Sequence, residues 1–278
     1  CGWLVMEDES WKERKKDGLV RRPFTDTLLL GQRDALEQNG FVVKRKIGSG
    51  GQAVVVEAEK AGKGTFAVKV VSKGLMWRKG NADSVDGANA NGTVSVASSE
   101  RVNASMLVAR EVEALLRVKH KNVVKLETVL EDSSATYLVM ERLEGGDLLR
   151  KAFETDLSQD NAMFICTQLL SALAHLHLNG VYHRDVKPEN ILFISDRPGD
   201  YRLKLIDFGL SHVATGNCST TQNSCEANGT LEYMPPEAVS NPGLSHRSDK
   251  FDIWSVGVVM HLILTGHHLF SAREELAL

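Results

Sequence analysis

The spacing of apolar positions changes several times along the 278-residue chain, and each change marks an element. From Phe41 onward, short β-branched runs surround a glycine cluster: Phe41-Val42-Val43, then Ala53-Val54-Val55-Val56, then residues 65–71. Branched side chains punctuated by turn residues predict strands joined by hairpins, and therefore a small antiparallel sheet. Helical spacing begins at Met106, where Leu107, Val108, Val112, Leu115, Leu116 and Val118 predict one apolar face. Two more strands are predicted at residues 123–130 and 136–140. After Gly145-Gly146 the pattern is mainly helical, with apolar residues three and four apart over residues 162–178. A small sheet followed by helices predicts an α+β fold in two lobes.

Two stretches break this pattern. Residues 1–38 mix charges with scattered apolar positions, and Lys12-Glu13-Arg14-Lys15-Lys16 reads as a solvated face or a flexible lead-in. Residues 79–105 are rich in Asn, Gly, Ser and Ala. Such a segment buries too little apolar surface to offset its ordering entropy, which predicts a disordered insertion. The expected organisation is an extension over 1–38, a small lobe over 39–140 interrupted at about 79–105, and a large lobe over 141–278. No internal repeat is visible.

Composition narrows the class. The chain is 42 % hydrophobic and 25 % charged, ordinary for a globular protein, and its net charge of -3 argues against a dedicated nucleic-acid binder. The longest apolar stretch, residues 253–265, is broken by Ser255 and His261. It falls short of the roughly 20 residues of a membrane span, so no membrane partner is expected. Residues 1–20 lack a signal-peptide core, and Cys1 in place of Met leads us to expect an incomplete start. Cys1, Cys166, Cys218 and Cys225 form no Cys-x-x-Cys pair, which predicts no zinc site and an intracellular, cytoplasmic location. Cys218 and Cys225 share a loop and read as ordinary thiols, with an oxidant-responsive pair as the alternative.

Four segments carry candidate chemistry. In Gly48-Ser49-Gly50-Gly51-Gln52-Ala53-Val54-Val55, glycines between strands let backbone N–H groups approach phosphate, though a plain hairpin has the same pattern. Lys69 lies in the apolar run Phe66-Ala67-Val68-Lys69. A buried lysine needs a partner, and Glu111 on the following helix supplies a carboxylate; an edge lysine facing solvent is the alternative. In His183-Arg184-Asp185-Val186-Lys187-Pro188-Glu189-Asn190, Asp185 is placed to accept a hydroxyl proton. Lys187 is placed there to neutralise phosphoryl charge and Asn190 to hold a hard metal ion. Asp207-Phe208-Gly209 ends an apolar strand, where Asp207 reads as a magnesium ligand or, alternatively, as a turn aspartate.

In this order and spacing the motifs resemble the signature set of eukaryotic-type serine/threonine protein kinases, from about Phe41 to Leu278. The resemblance also covers residues 229–237, similar to the end of an activation segment, and Asp252-Ile253-Trp254-Ser255-Val256-Gly257, similar to the start of the buried helix that anchors the catalytic loop. It implies a two-lobed kinase fold and transfer of the γ-phosphoryl group of ATP, with Mg2+, to protein Ser or Thr hydroxyls. By similarity Ile47, Gly48, Ser49, Gly50, Gly51 and Val55 cover the nucleotide. Ala67, Val55 and Leu192 sandwich adenine with Leu148 near by, Met140 is the gatekeeper, Glu141 and Leu143 are the hinge, and Asp147 faces ribose. Catalysis falls to Asp185, Lys187, Asn190, Lys69 and Glu111, and the metal to Asn190 and Asp207. Leu115, Leu126, His183 and Phe208 are expected to stack.

Lys187 with Thr230 resembles serine/threonine kinases, not tyrosine kinases. Arg184 beside Asp185 implies an upstream activating kinase, with Ser219, Thr220, Thr221 and Ser224 as candidate acceptors. Asp147 and Glu189 imply basic residues before the target. The overall texture is similar to the calcium/calmodulin-dependent and calcium-dependent kinase group. Departures from the pattern are Ala53 for the third loop glycine, Pro235 for a usual alanine, and Arg142 at a hinge position that commonly holds an apolar or aromatic residue. Family members continue beyond the position of Leu278 and supply an arginine to the glutamate matching Glu237, so a truncated large lobe is expected. The competing expectation is a nucleotide-binding scaffold without turnover.

Overall fold

The structure, a computed structural model, describes residues 30–49, 53–73, 96–155, 157–214, 230–240 and 249–270, with no side-chain placement for Leu30 or residues 96–106. Gly50, Gly51, Cys218, Cys225, the four candidate acceptors, residues 79–95 of the predicted insertion and most of the extension lie outside these residues.

A helix, α1 (Leu30–Gln38), leads through a turn at Gly40 into β1 (Phe41–Ser49), β2 (Ala53–Lys60) and β3 (Gly64–Ser72). After α2 (Val96–Arg117) come β4 (Leu126–Glu131) and β5 (Ala135–Glu141), completing an antiparallel sheet of order β1-β2-β3-β5-β4. Alternation puts Phe41 and Val43 into the core and Val42 outside. Val56, Ala58, Val68, Val70, Tyr137 and Val139 complete that core, and Leu36 of α1 inserts into it.

The helix α2 begins at Val96, ten residues before the start that its apolar spacing predicts. Residues 96–105, at the far end of the predicted insertion, are helical backbone of α2. Its buried face also differs from expectation. Glu111, Ala114, Leu115 and Val118 are buried at positions three and four apart, while Leu116 is 72 % exposed. The inward stripe thus includes a carboxylate, which a purely apolar reading passes over.

The large lobe is built on α3 (Leu148–Glu154), α4 (Gln159–Leu178) and, after a short α5 (Pro236–Ser240), α6 (Asp249–Thr265). Ser158 caps α4 by accepting from the Asn161 N–H, and Ile165, Leu169, Ala172, Leu173 and Leu176 form its buried stripe. Between α4 and α5 run two small antiparallel ribbons. One pairs β6 (Val181–Tyr182) with β9 (His212–Val213), the other β7 (Ile191–Phe193) with β8 (Leu203–Leu205). Val123 and Val124, predicted as strand, precede β4; both are buried, and Val123 forms an isolated bridge to Leu205. Among the described residues no helix is long and apolar enough to cross a membrane.

The linker between the lobes needs Gly145. A Cβ there would lie 2.4 Å from the Ser195 carbonyl oxygen and 2.5 Å from Phe193 Cβ. The close approach lets the Gly145 N–H donate to Phe193 O and the Phe193 N–H to Gly146 O, which fixes β7 beneath the linker.

Candidate active site

The first cluster joins three distant segments. Lys69 on β3 is nearly buried, and its ammonium lies 2.8 and 2.7 Å from the two carboxylate oxygens of Glu111 on α2. It also lies 2.9 Å from Oδ1 of Asp207, just beyond β8. Burial opposes every charge here, but the carboxylates of Asp207 and Glu111 hold the Lys69 amine well above its ordinary range, so it stays an ammonium. Burial also pushes up the Glu111 carboxyl, against the pull of Lys69. For Asp207 the ammonium overcomes the burial penalty and sets the carboxyl at about 2. Gly209 fits against this triad, where an added Cβ would come within 3.3 Å of Asp207 Oδ1.

The second cluster surrounds Asp185. Its Oδ1 accepts from the Thr230 hydroxyl at 3.0 Å and from the Thr230 N–H at 3.2 Å. Its Oδ2 accepts from Asn190 Nδ2 at 2.9 Å and lies 2.8 Å from Lys187 Nζ. Lys187 also donates to the Thr230 hydroxyl at 2.8 Å, so that oxygen accepts from the lysine and donates to the aspartate. Pro188 starts a one-turn 3-10 helix, Pro188–Asn190, whose geometry brings Asn190 back toward Asp185.

Ile206 links the two clusters. Its N–H donates to Asn190 O at 2.9 Å, and its carbonyl accepts from His183 Nε2 at 2.9 Å. His183 Nδ1 in turn accepts the Asp185 N–H at 3.3 Å, so a neutral imidazole protonated on Nε2 satisfies both contacts. Asp207, the next residue, takes a left-handed φ of 59°, and Arg184 takes 67°. Non-glycine residues enter that region at a cost of about 1–3 kcal/mol, and here the surrounding hydrogen bonds impose it.

The loop is held from below by Asp252 on α6. Fully buried, it accepts from the backbone N–H groups of His183 and Arg184 and lies 2.8 Å from His177 Nε2. Sequence reasoning placed this helix under the loop but did not assign the carboxylate or His177 a contact. A carboxylate on the first turn, just before the long apolar run of α6, was the available signal.

The predicted nucleotide-covering residues form cross-strand rows. Gly48 stands opposite Val55, which stands opposite Lys69, and Ala67 stands opposite Met140, which stands opposite Leu126. Val55 and Met140 are buried, and Ile47 and Leu192 are half-buried. Ser49 is exposed, and Leu148 is fully buried in the large-lobe core. Of the expected stack, Phe208 meets the His183 ring edge-on at 4.8 Å, and Leu115 and Leu126 pack in the same core as Phe208. The Glu141 carboxylate turns away to the Lys125 N–H and Lys204 Nζ, leaving only its backbone for the linker edge. Asp147, expected at ribose, caps α3 by accepting from the Arg150 N–H at 2.8 Å.

With this geometry established, the chain belongs to the protein kinase domain family, which it matches over residues 41–277. It is similar to serine/threonine-protein kinase cds1 of Schizosaccharomyces pombe, 32 % identical over 244 residues that cover 86 % of this chain and 47 % of that protein. It is also similar to serine/threonine-protein kinase RAD53 of Saccharomyces cerevisiae, 32 % identical over 263 residues, 90 % of this chain and 28 % of that protein. CBL-interacting serine/threonine-protein kinase 19 of Arabidopsis thaliana is 34 % identical over 254 residues, 88 % of this chain and 48 % of that protein. The chain thus spans half or less of the length of each of these relatives.

Family membership implies ATP and a divalent metal, and the residues present fit both. Asn190 Oδ1 is a buried carbonyl oxygen with no hydrogen-bond partner among the described residues. Asp207 is a carboxylate held ionised. One amide oxygen and one carboxylate suit Mg2+, which takes few protein ligands and completes its shell with phosphate and water.

Proposed function

We propose that this chain is the catalytic core of a serine/threonine protein kinase, moving the γ-phosphoryl group of ATP to Ser or Thr hydroxyls of protein substrates. The observation that carries this reading is the Ile206 link, which joins the Lys69–Glu111–Asp207 triad to the Asp185–Lys187–Asn190–Thr230 cluster. In that arrangement Lys69, fixed by Glu111, holds phosphate oxygens. Asp185 orients the substrate hydroxyl and receives its proton as the new O–P bond forms and the bond to ADP breaks. Lys187 offsets the charge spread over the transferring group. Asn190 and Asp207 would hold Mg2+, which when bound neutralises phosphate charge. The Thr230 hydroxyl, already engaged with both Asp185 and Lys187, shapes the slot for an aliphatic alcohol.

Substrates carry basic residues before the target in this reading. Glu189 supports it: its Oε2 is buried without a hydrogen-bond partner among the described residues, beside Tyr233. Asp147 contributes less, because its carboxylate is committed to capping α3. Arg184 supports control by an upstream kinase, since a guanidinium next to the catalytic aspartate suits a phosphorylated loop.

Direct assay of nucleotide binding and phosphate transfer tests the main reading. Asp185→Asn is expected to keep ATP binding and lose transfer about 100-fold or more. Lys69→Met is expected to weaken both. Transfer that survives both substitutions rejects the assignment, and binding without transfer in the unsubstituted chain leaves the scaffold reading. A peptide library without selection for Arg or Lys removes the substrate preference.

A further inference from the structure

His120 stands in the turn between α2 and β4, where its ring and its backbone both hold the chain. Its carbonyl accepts the Val123 N–H at 3.1 Å, and its Nδ1 accepts the Asn122 N–H at 3.1 Å. A neutral imidazole that accepts at Nδ1 carries its proton on Nε2, so the 3.2 Å contact with Ser171 of α4 runs from Nε2–H to the hydroxyl oxygen. Only the neutral ring satisfies both contacts. The same turn lies along β8. Asn122 Nδ2 donates to the Leu203 carbonyl and to Gln168 Oε1, each at 2.9 Å. The Leu205 N–H donates to the Asn122 carbonyl at 2.9 Å, and the Val124 N–H to the Leu205 carbonyl at 3.0 Å. Leu205 precedes Asp207 by two residues, and the helix that leads into the turn carries Glu111. The turn therefore joins the two elements that bring acidic partners to Lys69.

A second proton on this ring would point from Nδ1 at another N–H. The surroundings also oppose it. From α4 the His175 ring stacks on His120, with centroids 5.2 Å apart and planes at 23°. Lys121 on the turn and Lys204 on β8 are the other charged groups that act on it among the described residues, and both are positive. Lys204 is paired with Glu141 at 2.9 Å, and its charge still reaches the ring. Burial pushes the imidazole below its ordinary range, and His175, Lys121 and Lys204 push the same way. Protonation would turn the ring away from the Asn122 N–H. Asn122 is 3 % exposed, so water is a poor replacement for the lost acceptor.

We propose that His120 is a proton-operated catch: neutral, it fastens the α2–β4 turn to β8, and protonated it lets that turn slip, so that Asp207 and Glu111 lose their common hold on Lys69 and phosphate transfer falls in acid. The inference rests on the phosphotransfer reading above. His120 lies outside both catalytic clusters, which makes it a positioning residue. The sign follows from proton binding. The unfolded imidazole titrates near the ordinary 6.5 and the folded one lower, so as the pH falls through 6.5 the unfolded chain takes up a proton that the folded chain refuses. The catch is closed above that pH and opens progressively below it.

The test follows urea unfolding and phosphorylation of an Arg-containing Ser peptide by the whole chain from pH 7.5 to 5.5, beside His120→Asn. An asparagine two residues before an N–H offers it Oδ1 in the manner of an Asx turn, so this variant keeps the acceptor and removes the titration. The two proteins are expected to match at pH 7.5. At pH 5.5 the unfolding equilibrium constant of the unsubstituted chain is expected to have risen about fivefold relative to the variant, and its kcat/KM to have fallen by a similar factor. Titration of the nucleotide and of the other side chains is common to both proteins and cancels in the ratio. If His120→Asn melts early at pH 7.5, Lys121→Gln serves: it removes one repelling charge at an exposed position and is expected to move the acid midpoint of transfer to higher pH. Parallel profiles for the unsubstituted chain and His120→Asn overturn the proposal, as does an acid midpoint that Lys121→Gln leaves in place. Absence of transfer by the unsubstituted chain at every pH rejects the phosphotransfer reading and the effect on transfer with it, while the urea comparison still decides whether the catch exists.

Discussion

Asp252 on α6 accepts the backbone N–H of His183 at 2.9 Å, so the loop bearing the catalytic aspartate is fastened to a helix that follows it by 69 positions. The same carboxylate takes the Arg184 N–H at 2.7 Å and His177 Nε2 at 2.8 Å. Three donors converge on one buried anion, and Arg184 holds its left-handed backbone between them.

Asp252→Ala leaves two buried amides without an acceptor. The expected cost is about 3 kcal/mol or more, in the range for breaking a buried charged network. Urea denaturation should show the loss as a lower midpoint. Transfer should fall further than folding alone accounts for, because Arg184 and Asp185 lose their fixed backbone. An unchanged midpoint would mean that the anchor contributes nothing.

Asp207 predicts a particular acid limb in the stability curve. Its folded value of about 2 lies below the ordinary 3.8, so its contribution is present above pH 4 and lost as the pH falls toward 2. The sign follows from proton binding: between those values the unfolded chain takes up a proton that the folded chain refuses. The difference in unfolding free energy between the unsubstituted chain and Asp207→Asn should shrink by about 2 kcal/mol between pH 4 and 2. Glu111 has the opposite sign, since its raised folded value makes its contribution fade as pH rises.

The large-scale layout was legible in the sequence because it rests on short-range rules. The branched runs of β1, β2 and β3 and the apolar stripe of α4 declare their periods within a single element. The first turns of α2 were hidden because residues 96–105 carry no apolar stripe, and their helical backbone is visible only in the fold. Leu116 was misplaced because spacing alone cannot separate an inward leucine from its neighbour one position on. The site separates in the same way. Lys69, Asp185, Asn190 and Asp207 were read from motif order. The clamp at Asp252, the cap at Asp147 and the Arg142–Glu57 pair join residues whose partners only the folded chain selects.

Thr230 should separate positioning from packing. Its hydroxyl accepts from Lys187 and donates to Asp185, so Thr230→Ala removes two contacts at once. Lys187 keeps its 2.8 Å contact with Asp185, and the cluster persists with looser geometry. The expected result is a drop of about tenfold in kcat/KM, the worth of one charge-assisted hydrogen bond. Thr230→Ser, which restores the oxygen, should recover most of it. Equal activity in the alanine and serine variants would show that the hydroxyl plays no part.

Gly145→Ala tests the seating of the linker on the large lobe. The new methyl would lie 2.4 Å from Ser195 O and 2.8 Å from Ser195 C, against backbone that cannot rotate away as a side-chain end can. Relief requires the linker to lift from β7, which lengthens the bonds from Gly145 N–H to Phe193 O and from Glu144 N–H to Ile194 O. Overpacking at a rigid contact costs about 1–3 kcal/mol, and the strained hydrogen bonds add to that. A lower melting temperature is therefore expected, together with weaker nucleotide binding, because Glu141 and Leu143 sit on the segment that must move. Gly199→Ala is the control: it lies in open surroundings at a left-handed φ of 79°, so it carries backbone strain without a steric neighbour and should leave nucleotide binding unchanged. If both substitutions lower stability equally and neither alters binding, the close approach at Gly145 has no bearing on the cleft.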